Sequence, residues 1–262
     1  MTTDPWLVLS AHQQTIARAY LADREAERRH LVVYLSGAHA YGFPSPDSDL
    51  DLKCVHVAPT GDLVGLVPVD DPGDRIVIVE GVELDYGSNE LGPVLQGALK
   101  GNGNYLERLF GALALGGDRA LLDEARAVVR PTLSRRVARH YRGFATSQLH
   151  AFDDKPTAKR ALYVLRTAAT GRHLLAHGEV VTHVAQLCGF VPAEIDELLA
   201  IKQRGEREPL AAEHAAAWRA RLAAAIEAVD AAWPTSVLPP EPPPESIAAV
   251  DAWLRDVRRR SW

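Results

Sequence analysis

Hydrophobic and polar positions recur with two different periods along this chain. From Pro5 to about Arg29 the apolar residues fall at helical spacing, and three β-rich runs follow: "LVVYLS" at 31–36, a run at 50–57, and "RIVIVEGVELDY" at 75–86. From about Arg119 to Trp233 the sequence is rich in Ala, Leu and Arg at helical spacing, with little β-branched alternation. This pattern predicts an α/β domain followed by a helical one. "PTSVLPPEPPPES", 234–246, predicts a semi-rigid extended linker that is neither helix nor central strand. It leads into a last amphipathic helix whose Ile247, Val250, Trp253 and Leu254 share a face. The expected organisation is a domain at 1–115, a helical domain at 116–233, and linker with terminal helix at 234–262. No internal repeat is visible.

The run at 50–57 follows a loop of small and turn-forming residues, "SGAHAYGFPSPDSDLDLKC" at 36–54. Side chains at i and i+2 of a strand point the same way, roughly 7 Å apart at their Cα atoms. Asp49 and Asp51 then share one face, and Leu50, Leu52 and Cys54 pack on the other. Two adjacent carboxylates repel unless a cation or a proton joins them. Magnesium suits such a pair because it takes hard oxygen ligands and leaves positions open for water and phosphate. Gly37 lets the backbone come close to a ligand, as a phosphate-cradling loop requires. Together these features outline a site for phosphoryl or nucleotidyl transfer. The competing explanation is an Asp-rich turn, "PDSD", in which Asp49 is a turn former.

Composition narrows the field. The chain has 262 residues, 47% apolar and 24% charged, enough to bury a sizeable core. No apolar run approaches the roughly 20 residues that span a bilayer, and the opening "MTTDPWLVLSAHQQ" lacks a basic region followed by an apolar stretch, so no membrane partner and a cytoplasmic location are expected. Cys54 and Cys188 form no CxxC pair, which points away from a disulfide framework or a thiolate zinc site. A net charge of −5 argues against a general nucleic-acid coat but leaves room for a local basic groove.

Gly37-Ala38, ten further residues, and the "DLDL" of 49–52 resemble the signature of the DNA polymerase β nucleotidyltransferase superfamily. More narrowly, "GAHAYGFPSPDSDLDL" followed by "GNGNYLERLFG" at 101–111 resembles the predicted nucleotidyltransferases associated with bacterial RNA-repair operons. The resemblance covers roughly residues 33 to 111, with weaker similarity in "KRALYVLRTAATGRHLLAHGEV" at 159–180. It implies an α+β fold: an α/β-type nucleotidyltransferase domain with a small mixed sheet, then an all-α domain. It further implies that Asp49 and Asp51 hold two magnesium ions, with manganese as an alternative. The third carboxylate of such sites lies on a neighbouring strand, where "GVELDYGS" offers Glu83 and Asp85 on one face. Asp85 is favoured, and the resemblance implies that it holds the catalytic metal and takes the proton from the attacking hydroxyl. Gly37, Ala38, His39 and Ser48 are the implied nucleotide contacts.

The implied activity is transfer of a nucleoside monophosphate from an NTP, such as ATP, to a hydroxyl, releasing pyrophosphate. An RNA end is the acceptor that the association suggests. Two alternatives stand beside it: the same chemistry on a small molecule or protein side chain, and a nucleotide- or RNA-binding module whose chemistry has lapsed. The latter is raised by Ala38 where the family usually has serine; His39 likewise replaces a common arginine, and Gly103 a proline. Ser36 should point to the other face of its strand. Loss of one neutral hydrogen bond costs about 0.5–1.5 kcal/mol, which weakens activity without excluding it.

Other patterns have plainer explanations. Asn104 with Glu107 fits an N-cap and its reciprocal partner. Lys159, Tyr163 and Arg166 fall at i, i+4 and i+7 and form a stripe that could grip the nucleotide across a cleft, although a solvated helix face is its ordinary reading; Leu162, Leu165 and Ala169 form the adjacent packing face. Arg135, Arg136, Arg139 and Arg142 make a second basic cluster with the same ordinary reading. His173 and His177 sit four apart like zinc ligands but lack a third ligand and an HExxH glutamate.

Overall fold

The computed structural model describes residues 4–66, 73–205 and 209–262. Its first half runs α1 (Ala11–Glu27), β1 (Arg29–Leu35), α2 (Gly37–Tyr41), β2 (Leu50–Val57), α3 (Thr60–Val64), β3 (Arg75–Val79), β4 (Val82–Glu90), α4 (Leu91–Leu99), α5 (Gly103–Phe110) and β5 (Ala114–Gly116). Helices follow: α6 (Arg119–Val129), α7 (Val137–Asp154), α8 (Ala158–His177), α9 (Ile195–Arg204), α10 (Ala212–Ala232) and α11 (Pro244–Arg260). The expected α+β architecture, with a small mixed sheet and a helical region after it, is what the chain forms.

Local signals set several boundaries. Ser10 and Gln13 form a reciprocal capping box at the start of α1. The Thr157 hydroxyl caps α8, and Gly178 closes it in the left-handed region. Among the described residues five strands form one sheet in the order β3-β4-β2-β1-β5. The β2–β4 pair is parallel and the other pairs are antiparallel. β5 has only three residues, two of which, Ala114 and Gly116, carry no strand signal, so the sequence pattern misses it.

The two sheet faces have different neighbours. Leu50, Leu52 and Cys54 of β2 join Val33, Leu35, Leu84 and Tyr86 in a core closed by Trp6 and by Ile16 and Leu21 of α1. On the opposite face Val55 and Val57 join Leu31, Tyr34, Leu95 and Leu106, and this core continues without a break into Phe152, Leu162 and Trp218 of the helical half. Fully burying a large apolar side chain contributes about 1.5–3 kcal/mol, so the shared core ties the helices to the sheet. The exposed end of this second face, beyond Val55, carries Lys53 and Asp51, both only partly buried.

The proline-rich segment departs from the expected spacer in two ways. It lies against the body of the protein: the Val237 N–H and the Ser236 hydroxyl donate to the Leu175 carbonyl, and the Arg135 N–H donates to the Pro239 carbonyl. The last helix starts at Pro244, inside the stretch expected to be non-helical, because proline is tolerated in the first turn where its missing N–H has no partner to lose. α11 buries Val250 and Val257, half-buries Trp253 and Leu254, and leaves Ile247 more exposed. Of the second basic cluster, Arg135 serves this packing, whereas Arg136, Arg139 and Arg142 are exposed, as a solvated face requires. Arg135 donates to the carbonyls of Leu238 and Ser236, Arg136 pairs with Glu241, and Arg142 pairs with Asp230 at 2.7 Å.

Candidate active site

Asp51 and Asp85 are register partners on the parallel strands β2 and β4, so their side chains leave the same sheet face side by side. Asp49 lies one residue ahead of β2, not within it. One carboxylate oxygen from each of Asp49, Asp51 and Asp85 falls within 4.8 Å of the others, and among the described residues this is the one such cluster. Glu83, the rival third carboxylate, is exposed and lies outside the cluster. The pair His173 and His177, with ring centroids 4.6 Å apart, forms no such cluster either.

The crowding has an electrostatic signature. Burial, followed by the negative charge of Asp49, pushes the Asp51 carboxyl up from 3.8 to about 7; Asp85 adds to the rise, while Lys53 and Lys159 oppose it. A protonated or cation-bound cluster is therefore favoured near neutral pH. Three hard oxygen donors, only partly buried, fit a magnesium or manganese ion well and a soft metal poorly.

Gly37 is held against this cluster. Its φ is +63°, and a Cβ built there would lie 1.8 Å from an Asp51 carboxylate oxygen, so neither the backbone angle nor the space admits a side chain. The loop is fixed by the Ser36 N–H, which donates to the Asp51 carbonyl at 2.8 Å. Ser36 itself sits at the N-cap position of α2 with its hydroxyl 3.3 Å from the Tyr41 hydroxyl, and Ala38 and His39 are both buried within α2. Ser48 is buried, and its hydroxyl bonds Ser45 and the ammonium of Lys202, so that side chain is engaged in packing the loop.

The Lys159, Tyr163 and Arg166 stripe does turn toward this site, but its members have different surroundings. Lys159 is near enough for its charge to act on Asp51. The ring of Tyr163 packs edge-on against Tyr41 at 5.7 Å and Phe43 at 5.6 Å. Arg166 is 1% exposed and bonds Glu107 at 2.8 Å. Its guanidinium stacks 3.6 Å above the Tyr41 ring. Burial works against that charge, yet Glu107 and the surrounding tyrosines hold the guanidinium pKa above its usual value. A solvated helix face is therefore not what this stripe forms.

Glu107 corrects a second expectation. The N-cap of α5 is Asn102, whose side chain accepts the Asn104 N–H at 3.0 Å, and Glu107 is no capping partner. Its two oxygens take Arg166 and the hydroxyls of Tyr141 and Tyr41, so a residue from each of α2, α5, α7 and α8 meets in one buried network. Nothing in the local sequence announces this, because the partners lie far apart along the chain.

Lys53 is the site residue the pattern should have supplied. It continues the two-residue period of Asp49 and Asp51, and its ammonium lies 2.6 Å from the Asp85 carboxylate. The position opposite Lys53 on β4 is Gly87, over which the Asp74 carboxylate packs. Lys53 also lines a cavity of about 150 Å³ with Ser36, Tyr41, Asn104, Glu107 and Arg108.

Comparison with known proteins gives three similarities. The sequence pattern of the RNA repair pathway DNA polymerase beta family matches residues 13–256. Over 151 residues the chain is 24% identical to an uncharacterised protein of Methanocaldococcus jannaschii, a stretch covering 57% of this chain and 61% of that relative. The chain thus spans about three fifths of the relative's length. A crystal structure of a nucleotidyltransferase-like protein from Exiguobacterium sibiricum matches 93% of this chain and 78% of its own, at 11% identity and a TM-score of 0.32.

Proposed function

Since the chain belongs to the RNA repair pathway DNA polymerase beta family, we propose that it is a magnesium-dependent nucleotidyltransferase that moves a nucleoside monophosphate from an NTP to a hydroxyl, with an RNA end as acceptor. The observation that carries this reading is the cluster of Asp49, Asp51 and Asp85 at the uncovered end of two parallel strands. Asp49 and Asp51 are the metal ligands in this proposal, and Asp85 is both ligand and proton acceptor. Bound magnesium supplies neutralisation of the charge that develops on the phosphate oxygens. The acceptor oxygen attacks the α-phosphorus, the bond to the β-phosphate breaks, pyrophosphate leaves, and the hydroxyl proton passes to Asp85. Gly37 brings the loop backbone against the cluster, and Lys159 adds a cation from α8. Arg166 has a positioning role: it holds Tyr41, and with it α2, through the Glu107 network.

The test is incubation with magnesium and each labelled NTP, with and without RNA. Transfer of label to RNA by the wild type, abolished in both Asp49→Asn and Asp51→Asn while their melting curves stay cooperative, is the expected result. Transfer that survives either change near the wild-type rate overturns the assignment. Transfer to no acceptor despite bound nucleotide favours the lapsed binding module, for which Ala38 is the sequence argument.

A further inference from the structure

Asp51 and Lys53 share one face of β2, with Asp49 just ahead of the strand and in the same cluster, so the metal-binding face carries its own cation. The ammonium of Lys53 lies 2.6 Å from the Asp85 carboxylate and 3.4 Å from the Asp85 carbonyl oxygen. A divalent ion joined to that carboxylate and an ammonium at this distance repel each other strongly. Exchange of one for the other relieves that repulsion.

The cavity beside Lys53 shows where the ammonium would go. Both Glu107 oxygens are already taken by Arg166, Tyr141 and Tyr41, so the acid in this wall is neutralised by its own network. Arg108 is fixed by the Cys54 carbonyl and the Asn89 side chain, and burial lowers its pKa without removing its charge. An ammonium released from Asp85 into this space adds a second positive charge to a wall that already holds Arg108. Such a wall attracts phosphate oxygens.

We propose that Lys53 is an exchangeable counter-cation: it holds Asp85 in the metal-free protein, competes with the divalent ion for that carboxylate, and when displaced turns into the adjacent cavity to hold a phosphate group of the substrate. This rests on the proposed function and adds a positioning residue to it. The phosphate belongs to the NTP tail or to a phosphorylated RNA end.

The experiment titrates full-length wild type, Lys53→Met and Lys53→Arg with Mn²⁺ alone, following free Mn²⁺ by electron paramagnetic resonance. Inorganic tripolyphosphate, and an oligoribonucleotide with and without a 5′-phosphate, are then titrated by calorimetry in saturating Mn²⁺. Lys53→Met should bind Mn²⁺ alone at least about tenfold more tightly, since one like-charge repulsion near a surface exceeds what a tenfold change represents. The same variant should bind one phosphate probe about tenfold more weakly, with Lys53→Arg recovering most of that loss. A loss confined to tripolyphosphate identifies the NTP tail as the ligand; a loss confined to the 5′-phosphorylated oligonucleotide identifies the RNA end. Unchanged or weaker Mn²⁺ binding by Lys53→Met overturns the exchange, and unchanged affinity for every phosphate probe overturns the second position. A wild type that binds no Mn²⁺ overturns the metal site itself, a failure distinct from that of Lys53.

Discussion

Replacing Asp51 with asparagine should stabilise the metal-free protein, and the gain should depend on pH. Burial and then Asp49 lift the folded carboxyl from 3.8 to about 7. The folded chain therefore keeps a proton that the unfolded chain has lost. The stability from that proton is whole below about 3.8 and disappears as pH rises through about 7. At about 1.4 kcal/mol per pH unit the full interval is worth about 4 kcal/mol. Asp51 keeps some contact with water, which brings the expected cost of the ionised form to about 2 kcal/mol. Asparagine has nearly the same shape and no charge to desolvate. In urea titrations with EDTA, Asp51→Asn should exceed the wild type by about 1–2 kcal/mol near pH 8, and the difference should close near pH 4. Added magnesium should reverse the order, because only the wild type retains the full ligand set. A variant less stable than wild type near pH 8, or a difference that does not change with pH, would refute the reasoning.

Gly37→Ala should lose metal binding and transfer together, since its Cβ would sit 1.8 Å from the Asp51 carboxylate at a left-handed φ; a destabilisation of about 2–4 kcal/mol in urea is expected, and a variant of unchanged stability would contradict it. Glu107→Gln or Arg166→Met alone should cost about 3–5 kcal/mol by leaving one buried charge uncompensated, whereas the double variant should cost clearly less than the sum, as a double-mutant cycle would read. Val257→Ala removes two buried methyl groups from α11 and should cost about 1–2 kcal/mol, with earlier hydrogen exchange in α11 and α6, which pack against each other.

What could be read from the sequence follows from how far each signal reaches. The shared face of Asp49 and Asp51 needs only the two-residue period of a strand; on β4 that period offers Glu83 and Asp85 alike, and the family resemblance is what favours Asp85, which lies in one cluster with Asp49 and Asp51. The stripe of Lys159, Tyr163 and Arg166 was visible as a face of α8. Its burial was not, because the residues that cover it, Tyr41, Phe43 and Glu107, belong to segments far earlier in the chain. Glu107 matched a local capping rule, yet a buried guanidinium is a stronger partner than a backbone N–H. The proline run reads as a semi-rigid extended linker because its composition disfavours helix and central strand, and composition carries no record of the carbonyl of Leu175 that it docks upon.

The helical half contributes to the site in a way that its distance in sequence hides. α2 is a five-residue helix, too short to hold its own geometry, yet Gly37 at its start must stay against Asp51. Tyr41 at its end provides the hold: Arg166 of α8 stacks on its ring, Glu107 of α5 accepts its hydroxyl, and Tyr163 packs against its edge. Arg166 is in turn fixed by Glu107, which Tyr141 of α7 also bonds. The loop beside the carboxylates is thus anchored through one tyrosine to three helices. A change at Arg166 is expected to act on the reaction through the position of Gly37, raising the apparent requirement for metal and NTP together, while a change at Lys159 should raise the requirement for NTP without raising that for metal. Metal binding that is untouched in a folded Arg166→Met variant would break that chain of contacts as an account of the site.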